Sequence, residues 1–225
     1  KNGSLGSRIA HIFMKEIVEK CNYGIDIHTG SAHRYNLPQI RATLDNDETK
    51  KLAVSCGMPV VINANIRDGS LRQAANDKGV ITLLFEGGEA LRYDEKIIRC
   101  AENAAYCVMS EIGMIDAKFV KEKQPKRDVF IAQSSHWVRA PHSGSMHARK
   151  NIGNKVKKDE ILGIISDPFG REKHYVKARE TGIIIGMTML PLVNNGDALF
   201  HVATFEDVDT VADEVEIHEE SYDVQ

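Results

Sequence analysis

Four cysteines, none of them spaced as CxxC, and a single tryptophan are what the chain has least of. The cysteine spacing excludes a zinc-ribbon site and gives no disulfide framework. Cys100 and Cys107 share a helical stretch, where seven residues separate them by about 10 Å, beyond the roughly 7 Å reach of a disulfide. Free buried thiols in a reducing, cytoplasmic compartment are the expectation. No apolar run approaches the roughly 18 residues of a membrane span, and no signal peptide opens the chain, so no membrane partner is expected. A formal net charge of -3 with a pI near 6.3 provides no basic field for nucleic acid. The sequence contains no GxxxxGK[ST], GxSxG or GxGxxG, which leaves nucleotide binding and serine hydrolysis without support.

What is present is an apolar fraction of 42% in 225 residues, enough for packed cores. Ser4 or Ser7 can cap a helix running to about Lys20, with Ile9, Phe13 and Ile17 at spacing four on one buried face. An apolar strand, Tyr23 to Ile27, then runs into Asp26-Ile27-His28 and a polar, Gly-containing loop that carries Arg34, Pro38 and Arg41. Asp45 to Cys56 reads as a helix with Gly57 just past its end. Met58 to Ile62 is a second strand. A short helix over Leu71 to Asn76 leads through Gly79 to a third, Val80 to Phe85, whose continuous apolar character suits burial on both faces. A long helix from Asp94 to about Ile112 carries Ile97, Ile98, Ala101, Ala105, Val108 and Ile112. Alternating strands and helices predict an α/β fold with a mostly parallel sheet flanked by helices.

After Gly113 the texture changes. Residues 118–128 are charged and contain Pro125, as a linker would, so residues 1–117 form one α/β unit. Residues 129–204 show short strands and turns, including Glu160 to Ile165, Gly182 to Gly186 and Ala198 to Ala203, and predict a small β domain. Residues 205–225 are strongly acidic, with no Lys or Arg from Glu206 onward, and read as a solvated, poorly ordered tail.

The chemistry-bearing residues gather at strand ends, where ligands sit in open α/β sheets. His28 is a zinc ligand or a hydrogen-bonded strand-end histidine. Asp26, two residues earlier, shares its face and can orient it. Glu86 closes the third strand and is followed by Gly87-Gly88, which let substrate approach closely. It is either a general base for metal-activated water or a polar strand terminus. Glu89 lies beyond the glycines and is expected to be more exposed. Arg41 and Arg34 are candidates for a substrate carboxylate, with Asn36 and Tyr35 as polar contacts and Arg72 as a further anion contact. His142 and His147 flank a Gly-Ser turn without metal-ligand spacing, and His11 reads as a helix-face residue.

Taken together, Gly3-Ser4 through Arg8-Ile9-Ala10, Ile25-Asp26-Ile27-His28-Thr29-Gly30, Asn36-Leu37-Pro38-Gln39-Ile40-Arg41 and Leu84-Phe85-Glu86-Gly87-Gly88 resemble the succinylglutamate desuccinylase/aspartoacylase family of zinc carboxypeptidase-like proteins. Ala140-Pro-His-Ser-Gly144 and the stretch from Asn154 to Gly163 resemble the β barrel-sandwich module that follows the catalytic domain there. The resemblance spans residue 1 to about 204. It implies one catalytic zinc held by a His and a Glu of an upstream HxxE motif and by a later strand-end histidine. His28 matches that third ligand and Glu86 the catalytic glutamate.

No HxxE precedes His28, and the chain opens on Lys1 rather than Met. A catalytic zinc usually takes three protein ligands, so the expectation is a partial catalytic domain whose other ligands lie in an absent N-terminal portion. The implied reaction is hydrolysis of an N-acyl amino acid or similar small amide, with a small N-acylated substrate as partner and homo-oligomerisation possible. A catalytically inactive homologue or a carrier module is the alternative. Gly186-Met-Thr-Met189 lacks the lysine that biotinyl and lipoyl carriers present.

Overall fold

The computed structural model describes residues 3–66, 68–123 and 128–221. Helix α1 (Leu5–Glu16) starts at Ser4, whose Oγ accepts the Ser7 N–H at 3.3 Å. A short 3-10 turn, Val18–Lys20, leads into β1 (Tyr23–Gly30) and β2 (Arg34–Ala42). Then come α2 (Asp47–Ser55), β3 (Val60–Asn63), α3 (Leu71–Asn76), β4 (Ile81–Glu89), α4 (Glu95–Glu111) and α5 (Ala117–Lys123). Asn46, Ser70 and Asp94 cap α2, α3 and α4, each accepting a backbone N–H three residues on. The remaining strands are β5 (Phe130–Ala132), β6 (Ser134–Arg139), β7 (Gly144–Ala148), β8 (Lys155–Val156), β9 (Ile161–Ser166), β10 (Lys173–Lys177), β11 (Gly182–Thr188), β12 (Leu192–Val193) and β13 (Ala198–Thr204). Helix α6 (Val208–Ser221) follows.

The sheet departs from the expected mostly parallel one. One nine-stranded sheet runs β1-β4-β2-β11-β13-β6, with β3, β5 and β8 attached beside that path. β1/β4, β2/β3 and β3/β5 are parallel, whereas β2/β4, β2/β11, β8/β11, β11/β13 and β6/β13 are antiparallel. β2 is the cause. Residues 31–33 reverse the chain with positive φ at Ala32 and His33, so the stretch read as a loop returns as a nine-residue strand between β4 and its next neighbours. Pro38 is tolerated because it sits where the β4 ladder shifts register, between Asn36 and Gln39, and where β2 exchanges β11 for β3.

The C-terminal strands divide between two sheets. β11 pairs directly with β2 and joins β6, β8 and β13 to the N-terminal strands. β7, β9, β10 and β12 make a separate four-stranded sheet. Their shared core includes Leu162, Ile165, Ile184, Leu199 and Phe200, all fully buried. The N-terminal core lies between the sheet and α2 and α4, around Ile40, Met58, Leu83, Phe85 and Cys100.

Four further expectations change. The expected buried face of α1 stays bare: Ile9, Phe13 and Ile17 are 58%, 40% and 51% exposed, because no described element packs on it. Part of the expected linker is helical, as α5, while residues 124–127 lie outside the described residues. The acidic tail is ordered through residue 221, since Val211 and Val215 recur at spacing four and bury against Ile183 and Ile185 of β11. Cys56 and Cys100 are buried, but Cys21 is exposed. Among the described residues no helix is long and apolar enough to cross a membrane.

His201 on β13 is 5% exposed and stacks on Trp137 of β6 with ring centroids 4.7 Å apart. Burial, reinforced by Arg41 and His136, holds its pKa down at about 3. An unfolded histidine titrates near 6.5, so between these values the unfolded chain binds the extra proton. Its contribution is therefore complete above about pH 6.5 and is lost as pH falls toward 3. Each unit is worth roughly 1.4 kcal/mol, so two units below 6.5 cost on the order of 3 kcal/mol. His201→Phe, which keeps an aromatic ring on Trp137, is expected to remove this part of the acid sensitivity. Denaturant unfolding at pH 7 and pH 4.5 checks it; equal losses in parent and variant would contradict it.

Candidate active site

The parallel ladder between β1 and β4 sets His28 directly beside Glu86 and Asp26 beside Leu84. Paired residues on neighbouring strands, about 5 Å apart, project from the same face. Across β4, the antiparallel β2 sets Gln39 beside Glu86 and Arg41 beside Leu84. Arg72 arrives from α3 and is 8% exposed. Asp26, His28, Arg41, Arg72 and Glu86 line one cavity of about 480 Å³. The imidazole and carboxylate singled out in the sequence thus meet at one rim of the sheet, with two guanidinium groups on the same cavity.

Within it, Nε2 of His28 lies 3.1 Å from Oδ1 of Asp26. The pairing follows from their spacing of two along β1, which puts both side chains on one face of the strand. The Glu86 carboxylate accepts a 2.6 Å hydrogen bond from Nδ2 of Asn36. Gln39, fully buried, donates to the backbone carbonyls of Leu37 and Ile185 and so ties β2 to β11. The donor chemistry of His28 with Asp26 suits one zinc ligand. Among the described residues, however, no three His, Cys, Asp or Glu side chains are grouped to hold a metal, so these residues do not by themselves complete a catalytic zinc site.

Other sequence candidates lie elsewhere or act differently. Arg34 stacks over Trp137, 5.0 Å from the ring centroid, and is not on the cavity wall. Asn36, expected to touch substrate, is 8% exposed and engaged with Glu86. Tyr35 donates its hydroxyl to Asp94 at 2.9 Å, and burial with this contact pushes its pKa up. Glu89 is less exposed than expected, its side chain 13% accessible and 3.8 Å from His33. His142 stacks on His174 at 4.1 Å, His147 lies on β7, and His11 lies on α1. Sequence reasoning missed the support behind Glu86, namely Gln39, Gly186, Trp137 and His201.

Residues 3–112 match the family model of the succinylglutamate desuccinylase/aspartoacylase catalytic domain. No curated protein matches the chain. Among solved structures, the fold is similar to a succinylglutamate desuccinylase/aspartoacylase from Rhodobacter sphaeroides, with TM-score 0.77 and 18% identity over 92% of this chain and 65% of that one. It is also similar to the product-bound ectoine utilization protein EutE (DoeB) from Ruegeria pomeroyi, with TM-score 0.78 and 16% identity over 90% of this chain and 64% of that one. A succinylglutamate desuccinylase from Silicibacter sp. TM1040 gives 0.78 and 15% over 91% and 64%. The chain therefore spans just under two thirds of the length of these structures.

Proposed function

Since the chain belongs, through residues 3–112, to the succinylglutamate desuccinylase/aspartoacylase family of deacylases, we propose that it carries part of the active site of a zinc-dependent hydrolase of N-acyl amino acids or similar small amides. The observation that supports this best is the side-by-side register of His28 and Glu86 on one cavity wall. In this reading His28 is one zinc ligand, with Asp26 holding its ring. When bound, zinc supplies an acidified water and a Lewis acid for the amide carbonyl. Glu86 takes the proton of the attacking water and returns it to the leaving amine. Arg41, on the same wall, captures a substrate carboxylate.

The other two ligands come from a further polypeptide segment carrying an HxxE motif. Two features support a place for it. Among the described residues β1 pairs with β4 alone, so its outer edge presents unpaired backbone groups that suit an added strand. Beside that edge, Phe13, Ile17, Tyr23, Ile25 and Val80 line an apolar groove of about 220 Å³. Joining the chain to such a segment, loading zinc and offering N-succinyl and N-acetyl amino acids is expected to release free amine, while the 225-residue chain alone releases little. A joined protein that holds zinc and releases none from the panel would overturn the proposal in favour of an inactive homologue.

A further inference from the structure

We propose that Asn36 is a positioning residue for Glu86, and that β11 of the C-terminal half is the wall that holds it in place. The inference rests on the reading of Glu86 as proton acceptor. Asn36 Nδ2 donates to Glu86 Oε2 at 2.6 Å, and Asn36 itself is 8% exposed. Asn36 is buried and one of its two N–H donors is held by the carboxylate, so the contact fixes which carboxylate oxygen is occupied and leaves the other to act. A charge-assisted bond of this length is among the stronger ones available to a neutral side chain.

The neighbours of Asn36 leave it little freedom. On one side, Tyr35 is tied to Asp94 at the start of α4. One residue further, Arg34 stacks on Trp137, which stacks on His201. β11 pairs with all three residues, Gly186 with Asn36, Met187 with Tyr35 and Thr188 with Arg34. Gly186 is the tightest point. A Cβ there would lie 2.9 Å from Asn36 Oδ1 and 3.2 Å from His201 Cβ. A side chain at position 186 therefore presses on the Asn36 amide, which must shift to admit it. Adding the C-terminal strands to the same sheet thereby places a specific constraint on the proton acceptor in the N-terminal half.

The test uses two readouts. In the 15N-labelled 225-residue chain, the Asn36 side-chain amide resonances are expected to move and to exchange faster with water in Glu86→Ala and in Gly186→Ala, with the rest of the spectrum retained. Resonances that ignore both substitutions would overturn the proposal. In the zinc-loaded deacylating protein, Asn36→Ala and Gly186→Ala are each expected to lower kcat about 10- to 100-fold, the range a displacement of about 1 Å produces, with KM little changed. A raised KM with unchanged kcat would assign Asn36 to substrate binding and overturn the proposal. Undiminished turnover in Glu86→Gln would instead remove the reading of Glu86 itself. The amide resonances separate these two failures, because they report the contact without turnover.

Discussion

In the zinc-loaded chain joined to a segment carrying HxxE, Glu86→Gln is expected to lower kcat for deacylation at least about 100-fold, at the lower end of what a positioned acid or base contributes. The substitution is chosen because it changes little else. A glutamine carbonyl can still accept from Asn36 Nδ2, and Glu86 lies at a half-buried position on β4 rather than in the fully buried core around Phe85 and Leu83. The folded structure and the zinc content should therefore match the parent, and KM should change far less than kcat, since the lost function is proton transfer and not binding. Steady-state kinetics with zinc measured on the same samples decides the matter. Turnover within about threefold of the parent would remove Glu86 from the chemistry and direct attention to Glu89, which follows the same pair of glycines.

The parts of this fold that were readable in the sequence are those whose signal is local. Helices α2, α3 and α4 carry their caps at Asn46, Ser70 and Asp94 and their stop signals at Gly57, Gly79 and Gly113, all three glycines having positive φ. The apolar runs of β4, β11 and β13 are equally direct. What could not be read was set by partners distant in sequence. β2 is rich in polar side chains and holds a proline, yet it is central, because Asn36, Gln39 and Arg41 face the site or β11 and not solvent. The acidic α6 looks unstructured by composition. It is held by two valines that matter only once β11 offers Ile183 and Ile185. In α1 the reverse occurred: a clean amphipathic period predicted burial that no described element supplies.

The site divides along the same line. His28, Asp26 and Glu86 drew notice because local pattern reads each as lying near a strand end, although β1 continues to Gly30 and β4 to Glu89. Their adjacency needed the β1/β4 register, and nothing in either segment specifies it. Arg34 and Asn36 have other neighbours than a loop position suggests, for one reason. A polar residue in an assumed loop suggests substrate, whereas in a paired strand it faces the neighbours that the sheet brings, here Trp137 for Arg34 and Glu86 for Asn36.

His28→Ala carries the second large effect and tests the central claim most directly. If a metal sits between His28 and Glu86, this imidazole is the ligand that the chain itself supplies, and its loss should exceed the roughly 10- to 100-fold penalty of removing an outer partner such as Asp26. The measurement is zinc affinity by competition with a chromophoric chelator, made on the 225-residue chain and on His28→Ala. The expected result is one weakly held zinc in the parent and none detectable in the variant. Zinc bound with equal affinity by both proteins would contradict the account, because the metal would then lie somewhere other than beside Glu86.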